Sequence, residues 1–458
     1  MSTSVAMAFR EPLQTFLYQS TEGNITLVDI AMSIAAAQGT GSHPSYSTLI
    51  STRLPAEPFA TYDARSTEAE NKMRDIAVDN DLHEQYISII EKALSEIRLH
   101  VKGDWCALRC HLPPVEHGMR KQEAHALGNE QTEGTQIHAN NGRSWDSLSI
   151  EQNMVRLAGL PKDFLPELVK QCSSNHVVKP RFLIKYSGCN EDGLYDPSME
   201  TEGRESNIPY NWLQHNPDDV PQKLTILDNL LTGERPYVFN IPPKAIFLLG
   251  DCSDAMGFRT AVRSMSQEHD TPRKFDFILM DPPWPNASAK RKGEYLTRPF
   301  RDVKNLLLRM DLDTYIAPNG IVAVWITNKP AVRKLILGPD GLFEKLNVTL
   351  FEEWIWLKTT TKGEPIVALD STSRKPYEVL LLGRAPANPY AVAEPPADAR
   401  RRVIVGVPTF HSQKPCLEQL IKQLMSDPER YAALEIFARH LVAGWWSYGN
   451  EVDRKSVV

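Results

Sequence analysis

The chain has 458 residues, with 51 Lys and Arg against 57 Asp and Glu, for a net charge of −6. Hydrophobic residues make up 42% and charged residues 24%, ordinary values for a globular chain long enough for two or three domains. The acidic balance excludes a basic coat over the whole surface, so nucleic-acid contact would have to come from a local patch.

The six cysteines (Cys106, Cys110, Cys172, Cys189, Cys252, Cys416) are scattered and form no disulfide framework. Cys106-x-x-x-Cys110-His111 is the one cluster, but no second ligand pair follows at zinc spacing, so free thiols and no metal are expected. The N-terminus lacks a basic segment followed by an apolar core, and the apolar stretch from Ile30 to Ala37 is too short to span a membrane. An intracellular, unsecreted protein is expected.

Residues 1–144 are expected to form a helical accessory domain. Its clearest helix runs from Leu82 to Leu99, where Leu82, Tyr86, Ile90, Ala93, Leu94 and Ile97 recur at three- and four-residue steps. Residues 112–143 are polar and poor in large apolar side chains, which predicts a linker. Residues 145–235 form a middle domain, with helical patterning at Trp145–Leu160 and Phe164–Val169 and a β-like run at Arg181–Tyr186. From residue 236 to 458 strands and helices alternate. Strands are predicted at Ala245–Leu249, Phe275–Met280, Ile321–Ile326, Leu350–Leu357, Tyr377–Leu382, Val403–Val407 and Ala432–Phe437. Helices are predicted at Asp254–Gln267, Pro299–Tyr315, Ala331–Leu346 and Cys416–Met425, and Pro386–Pro396 is a surface loop. The alternation predicts an α/β domain with a mostly parallel sheet, helices on both faces and an antiparallel hairpin at one edge.

Asp281-Pro282-Pro283-Trp284 is the focal motif. It closes the apolar run Phe275–Met280, and two prolines cannot continue a strand ladder. Asp281 is therefore left at a strand's carboxyl end, where open α/β sheets put their ligands. Its carboxylate and the Pro282 carbonyl can accept hydrogen bonds from an exocyclic amine, and Trp284 offers a face for a planar base, a contact worth about 1–3 kcal/mol. Holding N6 of adenine between two acceptors favours its pyramidal, nucleophilic form.

The tetrapeptide resembles the catalytic signature of the MT-A70 family of adenosine N6 methyltransferases, and the match covers roughly residues 236–458. The family has a Rossmann-like sheet with a permuted motif order, the catalytic motif preceding the main cofactor motifs. The resemblance implies S-adenosylmethionine as cofactor, contacted by an acid past a strand (Asp251, followed by Cys252). It also implies Lys414 of His411-Ser412-Gln413-Lys414-Pro415, Arg439 and His440 after Glu435-Ile436-Phe437, and Asn450 and Glu451 of the terminal Gly449-Asn450-Glu451. Asp254 is the stronger candidate for capping the helix after Asp251. Asn286 to Tyr295, with its Lys290-Arg291 pair, resembles the branch of methyltransferase-like protein four.

Asn286, Lys290, Arg291, Lys292 and Tyr295 are the candidate substrate contacts. From Lys290 to Arg309 seven basic residues stand against two acidic ones, a local excess suited to tracking phosphates. The expected activity is N6 methylation of adenine in nucleic acid. RNA is favoured, in particular 2′-O-methyladenosine of small nuclear RNA, with DNA adenine as the alternative. A catalytically silent scaffold of the same fold is the non-enzymatic rival, and methylation of glutamine or a small molecule a further one. No membrane partner is expected. The expected location is the nucleus, with the cytoplasm open, and the expected state a monomer.

Overall fold

The computed structural model describes residues 15–39, 50–51, 53–59, 79–111, 182–189, 195–200, 203–206, 211–228, 237–285, 300–371, 374–394, 398–409 and 413–450. The expected linker at 112–143 and the helices expected within 145–169 lie outside the described residues.

The strands in the first half are β1 (Phe16–Gln19), β2 (Ile25–Val28), β3 (Ile50–Ser51), β4 (Cys110–His111), β5 (Phe182–Cys189), β6 (Tyr195–Glu200), β7 (Arg204–Ser206), β8 (Trp212–His215) and β9 (Gln222–Asp228). There follow β10 (Tyr237–Ile241), β11 (Ile246–Leu249), β12 (Phe275–Met280), β13 (Ile316–Ile326), β14 (Thr349–Lys358), β15 (Tyr377–Arg384), β16 (Arg400–Gly406), β17 (Ala433–Ile436) and β18 (Trp445–Gly449). The main sheet has eleven strands in the order β1-β2-β16-β14-β15-β13-β12-β17-β18-β11-β8. All run one way except β1, β15 and β8, each antiparallel to its neighbours. A second sheet, β10-β9-β5-β6 with β7 beside β5, packs on the end of the main sheet, where Leu224, Ile226 and Phe239 share a core with Trp212, Phe247 and Leu249.

Both faces of the main sheet are covered, as near-continuous apolar strands require. One face packs Ile90 and Ile97 of the helix Asn80–His100, Phe258 and Val262 of the helix Ala255–His269, and Leu307 of the helix Phe300–Arg309. The other packs Ile30 and Ile34 of the helix Ile30–Ala37, Leu420 and Ile421 of the helix Glu418–Lys422, and a cluster of Trp325, Trp354, Trp356 and Trp445. Asp254 caps its helix as expected, accepting from the Gly257 N–H at 3.0 Å.

Four local expectations change. The β14–β15 hairpin is not at an edge, because β16 pairs with β14 and carries β2 and β1 beyond it. The helix expected over 331–346 is two pieces, Pro330–Leu337 and Leu342–Lys345. Pro339 lacks an N–H and Asp340 has φ +55°, which stops the helix between them. The last predicted helix shortens to Glu418–Lys422. The N-terminal region was expected to be helical, yet β1 and β2 join the main sheet, so that sheet draws strands from across the expected boundaries at 144 and 236. The same region is tied to the loop between β14 and β15, where the Trp105 N–H donates to the Thr361 carbonyl at 2.9 Å. Gly363, at φ +78°, lies where a Cβ would come within 2.4 Å of the Trp105 ring.

Candidate active site

Register fixes the site. Met280 of β12 is level with Ile436 of β17, which is level with Tyr448 of β18, itself level with Leu248 of β11. The carboxyl ends of four adjacent parallel strands therefore line up. Asp281, Arg439 and His440, Asn450, and Asp251 all follow those ends, so the last strands of the chain slot between the Asp251 strand and the Asp281 strand.

Asp281 is the first residue past β12. The chain turns at once, the Trp284 N–H donating to the Pro282 carbonyl at 2.7 Å. That carbonyl keeps a second lone pair for another donor. Trp284 itself is 8% exposed, and its indole Nε1–H donates to the Trp325 carbonyl at 2.7 Å. The structure thus places Trp284 as the anchor of the turn, packed in the core, rather than as an open stacking face. After the turn, the Lys329 ammonium donates to the Pro285 carbonyl at 3.0 Å.

The Asp281 carboxylate has cationic neighbours. Lys414 Nζ stands 3.2 and 3.3 Å from its two oxygens, and the Arg439 guanidinium 4.0 Å away. Lys414 also pairs with Glu378 at 3.0 Å, and Glu378 with Lys358. The Lys414 side chain is 13% exposed and that of Glu378 25%. Burial alone would raise the Glu378 carboxyl, but Lys358 and Lys414 outweigh it and hold it well below the carboxylate range. Burial alone would lower the Lys414 ammonium, but Asp281 and Glu378 hold it above the ordinary lysine value. Both stay ionised at neutral pH. An ammonium has three donors, and Lys414 meets three carboxylate oxygens, two of Asp281 and one of Glu378.

Sequence reasoning missed Glu378 and Lys358. The signal was available in β15, where Leu380 and Leu382 face the tryptophan cluster and Glu378 occupies the same face. A charge at an otherwise apolar position of a buried strand asks for a partner.

A pocket opens beside Asp281, walled by Lys414, Arg439, His440, Trp325 and Trp445. Phe437 reaches it through a left-handed turn (φ +62°), uncommon for a bulky side chain, which carries Arg439 and His440 to the pocket wall. Lys414 and Arg439 carry positive charge suited to an α-carboxylate, so the chemistry of the pocket matches the amino-acid end of S-adenosylmethionine.

The other predicted residues divide three ways. Asp251 turns on itself, accepting from the Ser253 N–H at 2.8 Å, and its carbonyl receives the Tyr448 hydroxyl at 2.7 Å. Cys252 is buried, its Sγ 3.8 Å from the Tyr448 carbonyl and its thiol pushed by burial up to about 12. Asn450 is exposed at the end of β18. Glu451 and all five candidate substrate contacts, Asn286, Lys290, Arg291, Lys292 and Tyr295, lie outside the described residues. Among the described residues no cluster of His, Cys, Asp and Glu could hold a metal ion, and no helix is long and apolar enough to cross a membrane.

Comparison with known proteins agrees with this geometry. The MT-A70 family model matches residues 275–451. The N6-methyladenosine RNA methyltransferase MTA1 of Cryphonectria parasitica is 44% identical over 180 residues, covering 39% of this chain and 52% of the relative. The N(6)-adenine-specific methyltransferase METTL4 of Homo sapiens is 36% identical over 221 residues, 46% of this chain and 42% of the relative. The DNA N6-methyl methyltransferase of Caenorhabditis elegans is 31% identical over 230 residues, 48% of this chain and 57% of the relative. The chain spans about half the length of the curated relatives it matches.

Proposed function

We propose, from the match of residues 275–451 to the MT-A70 family model, that the chain methylates N6 of adenine in a nucleic acid. Members of the family use S-adenosylmethionine, which supplies an electrophilic methyl group when bound. The observation that carries the reading is Asp281 at the carboxyl end of β12, with Lys414 and Arg439 on the wall of the adjoining pocket. Asp281 and the Pro282 carbonyl accept hydrogen bonds from the exocyclic amine and fix its lone pair toward the pocket. The Trp284–Trp325 bond holds the turn rigid, so both acceptors are in place before the base arrives. Lys414 ties Asp281 to Glu378 and brings its positive charge to the side of a ligand carboxylate. Arg439 and His440 complete the cofactor wall, and Asp251 and Asn450 stand at the neighbouring strand ends, level with a ribose or adenine lying across them.

N6 is paired inside a duplex, so the target base is extruded or already single-stranded. RNA is the favoured polymer, in particular 2′-O-methyladenosine of small nuclear RNA, and a nuclear location goes with that substrate. DNA adenine is the second reading, favoured by the activity in the name of the Caenorhabditis elegans relative. Calorimetry tests the division of roles. Asp281→Ala should abolish methyl transfer and leave S-adenosylmethionine affinity within a few-fold of wild type. Transfer at the wild-type rate by that variant would remove Asp281 from the reaction.

A further inference from the structure

In the sequence, Ile30 to Ala37 is only an apolar stretch too short to span a membrane. In the structure it is a helix tied at three points to the loops that carry the cofactor groups. Its start is fixed by a buried charge pair. Asp29 accepts from the Met32 N–H at 2.9 Å and the Ala107 N–H at 2.6 Å, and it lies 3.4 Å from Arg109, with neither side chain exposed. Arg109 in turn donates to the Val407 carbonyl at 3.4 Å, where the chain leaves β16 toward Lys414. In the middle of the helix, Ser33 Oγ gives its proton to the Ile30 carbonyl at 2.8 Å and accepts from the Cys416 N–H at 3.2 Å, two residues past Lys414. At its end, the Ala37 carbonyl accepts from the Ala443 N–H at 2.7 Å, three residues past His440.

Two features set this arrangement apart from packing alone. The helix bonds to the backbone of two different loops, one carrying Lys414 and the other Arg439 and His440. Apolar contact is non-directional, whereas a hydrogen bond fixes both distance and angle. From Ser33 to Ala37 the helix rises about 6 Å, and that rigid step separates the two anchor points. The helix also stands behind the wall of the Asp281 pocket. Cys416 and Val442 line the pocket, and Ile30, Ile34 and Ala37 share a core with both.

We propose that the helix Ile30–Ala37 sets the spacing of Lys414 and Arg439, which makes Ser33 a positioning residue that acts through the Lys414 loop. The family match begins at residue 275, so this support of the cofactor wall comes from a segment outside it. The proposal rests on the cofactor reading above and adds what holds the cofactor groups in place.

The test uses the full chain. S-adenosylmethionine affinity is measured by calorimetry for wild type and Ser33→Ala, and methyl-transfer kinetics are followed with a single-stranded RNA oligonucleotide. Ala suits a helix interior and removes only the acceptor for the Cys416 N–H. Ser33→Ala should weaken S-adenosylmethionine binding about fivefold, the usual worth of one neutral hydrogen bond. The KM for S-adenosylmethionine should rise by the same factor with the oligonucleotide KM within twofold, a split that a general loss of folded protein does not produce. Hydrogen exchange followed by mass spectrometry gives a second reading that needs no variant. Adding S-adenosylmethionine to wild type should slow exchange in residues 30–39 as well as around Lys414. Cofactor affinity of Ser33→Ala within twofold of wild type, or exchange in residues 30–39 that S-adenosylmethionine leaves unchanged, overturns the proposal. Wild type that binds no S-adenosylmethionine would overturn the cofactor reading and this proposal with it, an outcome distinct from wild-type binding that ignores Ser33.

Discussion

Replacing Glu378 by Gln keeps the side chain's shape and removes one charge from the centre of the site. Glu378 is shared by Lys414, at 3.0 Å, and Lys358. At 3.0 Å and an effective dielectric near 20, one such pair gains about 5.5 kcal/mol before desolvation is counted. Removing one partner of a buried pair costs about 3–5 kcal/mol in net stability, and a side chain that is 25% exposed belongs at the lower end, about 3 kcal/mol. The sign of the pH dependence follows from the lowered carboxyl. A folded-state value below the unfolded one contributes stability above the unfolded value, here near 4.5, and loses it as pH falls toward the folded one. The gap between wild type and Glu378→Gln, read from urea midpoints at constant slope, should be full at pH 7 and close progressively below pH 4.5. Lys414 would then lean on Asp281 alone, and kcat should fall about tenfold, equivalent to ~1.4 kcal/mol. A stability gap that is absent at pH 7, or that does not change with acidification, would refute the reasoning.

Trp284→Phe removes the donor to the Trp325 carbonyl and should cost about 1–3 kcal/mol, with turnover falling further than calorimetric cofactor affinity. Arg402→Met breaks the buried two-bond pair with Glu352, far from the pocket. It should destabilise by about 3–5 kcal/mol in a denaturant titration and leave KM values unchanged. Replacing Lys290, Arg291 and Lys292 together by Ala should weaken oligonucleotide binding, as followed by fluorescence anisotropy. The dependence of log K on log salt should flatten by about one unit for each phosphate no longer neutralised.

The site was legible in the sequence where chemistry and chain order coincide. Asp281 follows an apolar run that can only be a buried strand, and two prolines force the exit. Lys414 and Arg439 sit in short motifs, and the fold brings them to 3.2 and 4.0 Å from Asp281. What stayed hidden depends on pairings distant in the chain. Trp284 looked like a stacking face because its partner is a backbone carbonyl 41 residues on, and no side-chain pattern announces a carbonyl. Glu378 meets Lys414 only because β15 lies two strands from β12. β2 joins β16 with Val403 opposite Ile25, nearly the whole chain apart, so a short apolar segment near the N-terminus gave no hint of its sheet. Gly338, Pro339 and Gly341 did carry their signal, and the periodicity on either side masked it.

Methyl transfer from isotopically labelled S-adenosylmethionine tests the central claim most directly. Matched oligonucleotides containing adenosine RNA, 2′-O-methyladenosine RNA and single-stranded DNA are incubated with wild type and Asp281→Ala, digested, and resolved by mass spectrometry. The account predicts label on N6, strongest on RNA, with none from the variant. Absence of label on all three substrates, with S-adenosylmethionine binding intact by calorimetry, would contradict it.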